Sequence, residues 1–166
     1  MGGAACLGVG DPTAAPRPAA GDGFWPAKYD LFGVRISATT YDEAASLILE
    51  AASRRQSAVV THLPVHGVVT AVRDARFREA VNGCDLAAPD GQPVRWALNR
   101  FHHTDLPDRV YGPELCRRLC EGAARRDIGI YLFGSEPHVV EAMQRYLRGR
   151  YPGLRFVGAE SPPFRP

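Results

Sequence analysis

Short apolar runs alternate along this chain with longer segments in which apolar residues recur every three or four positions. Short runs are typical of buried strands, and the wider spacing is typical of amphipathic helices. The clearest strand covers Ile128 to Phe133, and a helical pattern follows it from Pro137 to about Gly149. Alternation of this kind builds parallel sheets, because each helix carries the chain back to the start of the next strand. The sequence therefore predicts an α/β, Rossmann-like fold, with a mainly parallel sheet and helices on both faces.

The remaining elements are predicted by the same periodicities and by cap residues. Thr39 or Thr40 can cap the first helix, and Asp74 can cap a later helical turn. Pro93 and Pro113 suit the first turns of two further helices. Strands are expected at 31–37, 57–62, 85–88 and 154–158, and helices at 40–55, 65–72, 74–81, 92–100 and 113–126.

The two ends of the chain depart from this pattern. Residues 1–27 are rich in Ala, Gly and Pro and have no periodicity, which predicts a disordered leader or an over-extended start site. Residues 28–166 are expected to form one α/β domain, with order beginning near Tyr29. Because the chain ends soon after the strand at 154–158, with no helix to cover that strand, we expect an incomplete sheet that lacks C-terminal units.

Charge and hydrophobicity exclude several classes of protein. The 20 Lys and Arg against 18 Asp and Glu give a net charge of +2, so we predict no nucleic-acid partner. No segment approaches the roughly 20 apolar residues that span a bilayer, and the start lacks the features of a signal peptide. The four cysteines form no Cys-x-x-Cys pair and predict free thiols. We therefore expect a cytoplasmic protein, and peripheral contact with a membrane stays open.

Polar residues directly follow three of the predicted strands. They are Thr61 with His62, the segment Pro89-Asp90-Gly91-Gln92 (89–92), and Gly134 with Ser135. Ligands of open parallel sheets bind beyond the carboxyl ends of the strands. If the strands are neighbours, these residues lie along one edge of the sheet.

Asp90 lies between a proline and a glycine, directly before a predicted helix. An aspartate in this position commonly caps a helix or stabilises a turn. A carboxylate at a strand end also suits general base catalysis, because it can deprotonate a hydroxyl that attacks an activated sugar carbon. Position alone leaves both interpretations open.

Other polar residues near the strand ends also have two interpretations. Gly134 and Ser135 form either a plain strand-to-helix turn or an anion site made of backbone N–H groups at a helix start. Arg109 is either a surface loop residue or a bidentate phosphate ligand. His62 and His66 are four residues apart, but no acidic residue accompanies them at ligand spacing. We therefore predict no metal site and place His66 in a substrate pocket.

Six segments, in this order and spacing, resemble the WecG/TagA/CpsF family of bacterial glycosyltransferases. Each is short, and their combination is specific. The resemblance runs from about residue 31 to residue 164. The segments are Leu-Phe-Gly-Val-Arg-Ile (31–36), Val-Val-Thr (59–61), Cys-Asp-Leu-Ala-Ala-Pro-Asp-Gly (84–91), Arg-Val-Tyr-Gly-Pro-Glu-Leu (109–115), Tyr-Leu-Phe-Gly-Ser (131–135), and Tyr-Pro-Gly-Leu-Arg-Phe-Val-Gly with the later Ser-Pro-Pro-Phe (151–164).

The resemblance implies an inverting enzyme that moves a sugar from a UDP-sugar to a polyprenyl-diphosphate-linked saccharide. Such enzymes act at the inner face of the plasma membrane in exopolysaccharide, teichoic acid or capsule synthesis. By resemblance, Asp90 is the catalytic base and Gly134-Ser135 faces the nucleotide. Thr61, Gln92 and Arg109 are expected in the substrate pocket. We expect no cofactor or metal beside the UDP-sugar donor, and leave open whether the chain forms a homo-oligomer.

Two departures from the family pattern bear on this function. The family often carries Thr-x-Asn-Pro where this chain has Thr-His-Leu-Pro (61–64), so we expect sugar recognition to differ, with His66 contributing. The family also continues beyond the Ser-Pro-Pro-Phe segment with further β/α units, a nucleotide motif and a basic tail. The alternative function is a non-catalytic α/β module that binds a nucleotide or a lipid phosphate. A hydrolase is disfavoured because no Gly-x-Ser-x-Gly elbow is present.

Overall fold

The computed structural model describes residues 23–163. Strands and helices alternate along most of this part of the chain. The elements are β1 (Lys28–Leu31), β2 (Val34–Ser37), α1 (Tyr41–Ser53), β3 (Val60–Leu63), α2 (Val65–Arg73), α3 (Ala75–Gly83), β4 (Leu86–Pro89), α4 (Gln92–His102), α5 (Gly112–Arg125), β5 (Ile130–Phe133), α6 (Pro137–Arg150) and β6 (Phe156–Glu160).

Residues 1–22 of the predicted leader (1–27) lie outside the described residues. Its last residues make defined contacts. Trp25 packs against a core cluster that contains residues of α1, β4 and α5. The Ala38 N–H donates a hydrogen bond of 2.9 Å to the Ala27 carbonyl oxygen. Packing therefore begins ahead of Tyr29, the residue near which order was expected.

The strands form three separate pairs within the described residues. β1 and β2 are antiparallel, whereas β3 pairs with β4, and β5 with β6, in parallel. The predicted α/β class is confirmed, but the sheet is fragmented rather than continuous. One reason is visible beside β4, where the Ala87 N–H donates to the Ser37 side-chain oxygen at 3.1 Å instead of to a strand carbonyl. The strands are also only four or five residues long.

The prediction of one strand over residues 31–37 was wrong. The segment turns at Phe32 and Gly33, whose φ angles are 59° and 86°, and joins β1 to β2 as a hairpin. Such left-handed angles at two central residues match the twist of a tight hairpin. The Asp30 carboxylate accepts a 2.9 Å hydrogen bond from the Gly33 N–H and stabilises the turn. The apolar pattern on both sides of Gly33 concealed this reversal.

Helix starts agree with the predicted caps. The Thr40 side chain accepts a hydrogen bond from the Glu43 N–H at the start of α1. The Asp74 side chain accepts from the N–H groups of Arg76 and Phe77 at the start of α3. A cap of this kind contributes about 1 kcal/mol to helix stability.

The two faces of the β3–β4 pair are covered by different helices. Leu63 lies in a buried cluster with residues of the hairpin, α2, α3 and α4. Leu86 and Ala88 lie in another cluster with residues of α1 and α5. A third cluster joins α1, α5 and α6, and β5 and β6 contribute partly buried Ile130 and Phe156 to it. The expected arrangement of helices on both faces is therefore present around β3 and β4.

The state of the cysteines and the length of the helices are defined for the described residues. Cys84, Cys116 and Cys120 are free thiols, and Cys6 lies outside the described residues. Between residues 23 and 163, each helix is too short or too polar to cross a bilayer.

Candidate active site

Asp90 lies directly beyond the carboxyl end of β4, a strand that is packed in the core. All four residues of β4 are buried, and its last residue, Pro89, is in register with Leu63 of β3. The Asp90 N–H donates to the Leu63 carbonyl oxygen at 3.3 Å. Gly91 follows with a φ of 107°, an angle that favours glycine, and α4 then begins. The Asp90 backbone is therefore held, while its side chain is only half-buried.

The loop before α5 closes one side of this strand end. The Val110 N–H donates to the Pro89 carbonyl oxygen at 2.8 Å, which brings Arg109 and Tyr111 beside the strand end. The Tyr111 N–H in turn donates to the Tyr41 hydroxyl at 2.9 Å, so the loop is tied to α1. The segment Arg-Val-Tyr-Gly (109–112) thus lies next to the Asp90 turn.

His62 shares the face of the β3–β4 pair on which α5 lies. It is in register with Ala88, and a β-carbon added to Gly112 would be 3.3 Å from the His62 ring. Burial lowers the pKa of His62, while the Asp90 carboxylate and the Val110 backbone act to raise it. Its Nδ1 atom is buried without a hydrogen-bond partner among residues 23–163. A buried polar atom without a partner is unusual in a folded protein.

Thr61 and His66 lie on β3 and at the start of α2. Side chains alternate along a strand, so Thr61 projects to the face opposite His62. His66 is exposed in the first turn of α2, immediately after the β3 strand end. Within the described part of the chain, no group of three or more His, Cys, Asp or Glu residues is placed to hold a metal ion.

Gln92 and Arg109 are linked through Asp108. The Gln92 Nε2 atom donates to Asp108 Oδ1 at 2.9 Å, and the Arg109 N–H donates to the same oxygen at 2.7 Å. Arg95 donates through Nε to Gln92 Oε1 at 2.8 Å. The Arg109 guanidinium lies over the Tyr111 ring, 5.0 Å from its centroid. The structure therefore brings Asp90, Gln92 and Arg109 to one region.

Helix starts at this edge lack side-chain caps. α2, α4 and α5 begin after Pro64, Gly91 and Tyr111, and none receives a side-chain cap hydrogen bond among the described residues. α1 and α3, by contrast, are capped by Thr40 and Asp74. Uncapped helix N-termini present N–H groups and a partial positive charge, which together suit a phosphate.

Gly134 and Ser135 belong to the other parallel strand pair. They follow β5 with φ angles of 109° and 60°, and α6 begins two residues later without a side-chain cap among residues 23–163. The Gly134 N–H donates to the Glu160 carbonyl oxygen at 2.9 Å. No backbone pairing in the described part of the chain joins β5–β6 to β3–β4. The predicted nucleotide turn is therefore present as a turn, but on a separate sheet.

Comparison with known proteins identifies the kind of enzyme. The model of the WecG/TagA/CpsF glycosyl transferase family matches residues 29–166, which is most of the chain. The chain belongs to this glycosyltransferase family. The search of curated proteins found no individual protein that matches the chain. Membership in the WecG/TagA/CpsF family implies a sugar donor and a lipid-linked acceptor, in the synthesis of surface polysaccharide or teichoic acid.

Two residues of this family member were not predicted in their present roles. His62 was predicted at the strand-end edge and weighed as one half of a metal pair, but not as a neighbour of Asp90; it is in register with Ala88 of β4, two residues before Asp90. Strand alternation offered a signal for this, because the next-to-last residue of β3 faces the same side as the residue that follows β4. Asp108, which links Gln92 to Arg109, had no signal because it lies in an irregular loop.

Proposed function

We propose that this chain transfers a sugar, with inversion, from a UDP-sugar to a hydroxyl of a polyprenyl-diphosphate-linked saccharide, with Asp90 as the general base. The carrying observation is the position of Asp90 at the end of a fully buried strand, beside an unpartnered His62 Nδ1 atom and uncapped helix starts. Family membership supports the reaction class.

The proposed chemistry is a single displacement. The Asp90 carboxylate takes the proton of the acceptor hydroxyl while the hydroxyl oxygen attacks the anomeric carbon of the donor. The bond between the anomeric carbon and the phosphate oxygen breaks, and UDP leaves with the electron pair. Attack from the side opposite the leaving group inverts the anomeric centre.

In this proposal, backbone N–H groups and an arginine bind the negatively charged diphosphates. The N-termini of α2, α4 and α5 supply N–H donors, and Arg109 supplies a guanidinium. Gly134 and Ser135 serve the nucleotide through backbone N–H groups, and Thr61, His66 and Gln92 contact the sugars. The reaction as proposed involves no metal, so a chelator such as EDTA should leave the transfer rate unchanged.

The decisive experiment compares two isosteric substitutions. Asp90→Asn should lower kcat by about 10²–10⁴-fold, because an amide cannot accept the proton, while the affinity for UDP measured by calorimetry stays unchanged. Asp105→Asn is the matched control. Asp105 is exposed, and its φ of 51° is one that asparagine also tolerates. Equal rates in the wild type and Asp90→Asn would remove Asp90 from the chemistry.

Calorimetry also separates the two functions predicted from the sequence. Binding of UDP together with transfer of sugar supports the enzyme. Binding of UDP by a folded chain that transfers no sugar from a panel of UDP-sugars would instead support the nucleotide-binding module.

A further inference from the structure

His62 lies near the proposed base, on the same side of the β3–β4 pair. We propose that His62 is a positioning residue that takes the acceptor proton on from Asp90, so that the two side chains work as a proton-accepting pair. This inference rests on the proposed function, because Asp90 must first remove the proton from the acceptor hydroxyl. The proton would then end on the imidazole rather than on the carboxylate.

The register of β3 and β4 brings the two side chains together. His62 is in register with Ala88, and Asp90 comes two residues after Ala88. The Asp90 N–H donates to the Leu63 carbonyl oxygen, so the strand pairing extends to Asp90. Residues two apart on a strand share a face, and two residues span about 7 Å. Histidine and aspartate side chains that lean toward each other can bridge that length.

The start of α5 packs against one side of the His62 ring and leaves Nδ1 on the other. A β-carbon added to Gly112 would lie 3.3 Å from Cδ2, 3.4 Å from Cγ and 3.6 Å from Nε2 of the ring. The opposite ring atom, Nδ1, is buried without a hydrogen-bond partner among residues 23–163. In the tautomer that carries its proton on Nε2, Nδ1 can therefore accept a proton without breaking a hydrogen bond of the described chain.

Burial keeps the His62 ring uncharged and so able to accept a proton. It lowers the pKa of His62 below the ordinary value of 6.5, and the Asp90 carboxylate acts in the opposite direction. At neutral pH the ring is therefore neutral and carries one lone pair. An imidazolium at this position is stabilised by an ionised Asp90, which is the state that forms when the proton moves from the carboxyl group to the ring.

The proton moves toward the group that binds it more tightly. The ordinary pKa is about 3.9 for aspartate and about 6.5 for histidine. The acceptor hydroxyl gives its proton to Asp90 as its oxygen bonds to the anomeric carbon, and the Asp90 carboxyl group then gives that proton to the lone pair of His62. Burial narrows the difference between the two pKa values, and attraction between the carboxylate and imidazolium that form offsets part of this narrowing. Asp90 is thereby ionised again.

Charged and titratable groups on the other elements around His62 have partners of their own. The Glu114 carboxylate accepts hydrogen bonds from two arginines of α5, each at 2.8 Å. The Arg109 guanidinium lies over a neighbouring tyrosine ring, and the Tyr41 hydroxyl of α1 accepts a backbone N–H. Among the described residues, Asp90 is therefore the charged group that acts on the pKa of His62.

Histidine NMR tests the pair without any reaction. The chain has five histidines, so isotope labelling of the ring nitrogens gives a simple spectrum, in which His62→Gln identifies the His62 signals. We expect the pH midpoint of His62 to fall by roughly half a pH unit or more in Asp90→Asn, because a neutral amide does not stabilise the imidazolium. Asp105→Asn, at an exposed position, is the control and should leave the midpoint unchanged.

The pH profile of sugar transfer tests the role of His62 in the reaction. If the pair acts together, kcat/KM requires a neutral His62 and an ionised Asp90, so its acidic limb follows the pKa of His62. His62→Gln should lower kcat at neutral pH by about ten-fold and move the acidic limb toward the lower pKa of an aspartate. A purely structural role of His62 would lower the rate without moving the limb. His138→Gln, exposed in α6, is the control for both readouts, and circular dichroism confirms that the variants fold.

Failure of the pair and failure of the proposed function give different results. A lower His62 midpoint in Asp90→Asn together with a moved limb in His62→Gln supports the pair. Equal His62 midpoints in the wild type and Asp90→Asn, or an unmoved limb in His62→Gln, would overturn the pair, while a loss of transfer in Asp90→Asn would leave Asp90 as the base. Transfer by Asp90→Asn as fast as by the wild type would show that the proposed function and the pair are both wrong.

Discussion

The two parallel strand pairs of this molecule are buried to different extents. Every residue of β4 is buried, and helices cover both faces of β3–β4. In β5–β6, Tyr131, Phe133 and Val157 are each more than half exposed, and the third core cluster reaches this pair through Ile130 and Phe156. One pair is an interior element, and the other has an exposed face within the described chain.

This difference separates two requirements of the proposed reaction. A base must be held in place while a proton is transferred, and Asp90 follows the most deeply buried strand. A nucleotide turn such as Gly134-Ser135 binds through backbone groups, which need only the local turn geometry. The contrast therefore predicts that substitutions around β3–β4 have larger effects than equivalent substitutions around β5–β6.

The largest expected effect comes from truncating a strand leucine in each pair. Leu86→Ala in β4 should lower the free energy of unfolding by about 3 kcal/mol, because a fully buried leucine leaves a cavity. Leu132→Ala in β5 should cost about 1 kcal/mol, because that side chain is only partly buried. Urea denaturation followed by circular dichroism measures both. Equal losses in the free energy of unfolding would contradict the comparison, because they would mean that Leu132 is as well packed in solution as Leu86.

A glycine near each strand pair provides the next comparison. Gly112→Ala places a methyl group 3.3 Å from the half-buried His62 ring, which must then shift. We expect a loss of about 1 kcal/mol in stability and a several-fold lower transfer rate. Gly158→Ala meets Tyr131 at 2.3 Å, but the exposed Tyr131 ring can rotate away, so the cost should be within about 0.5 kcal/mol. A smaller effect at Gly112 than at Gly158 would contradict the rigidity assigned to the Asp90 edge.

The sequence predicted most elements because their signals are local. Thr40 and Asp74 cap the helices they were expected to cap, and the run after Ile128 forms β5. The hairpin at Phe32 was missed because its apolar pattern continues through the turn. The pairing of strands was also beyond the sequence, because a ladder depends on contacts between distant segments, such as Ala87 with Ser37.

The candidate site likewise combines a residue that local sequence predicts with neighbours that only the fold brings together. Asp90 was predicted as the base from its place after a strand and from family resemblance, and both are properties of a continuous segment. The neighbours of Asp90 come from distant segments, since Val110 and Gly112 reach β3–β4 only through the fold. The lowered pKa of His62 has the same origin, because burial between strands and α5 has no local sequence signal.

The pH dependence of stability is expected to reflect His62. Burial lowers the pKa of His62 in the folded chain. As the pH falls below about 6.5, the unfolded chain takes up a proton that folded His62 does not, so the free energy of unfolding decreases. His62→Gln should reduce this decrease between pH 7.5 and pH 5.5, as measured by urea denaturation. His138→Gln is the control in α6, where the side chain is exposed. An unchanged slope in His62→Gln would show that His62 is protonated alike in both states.

The smallest expected effect concerns the turn after β5. Ser135 has a φ of 60°, which costs a serine free energy but is readily adopted by glycine. Ser135→Gly relieves that cost while raising the entropy of the unfolded chain, so stability should change by less than about 0.5 kcal/mol. If the turn binds the nucleotide through backbone N–H groups, calorimetry should give the same affinity for UDP with glycine as with serine. A clear loss of affinity would instead assign the contact to the serine hydroxyl. The β5–β6 turn would then depend on a particular side chain, as the β3–β4 edge is proposed to depend on Asp90.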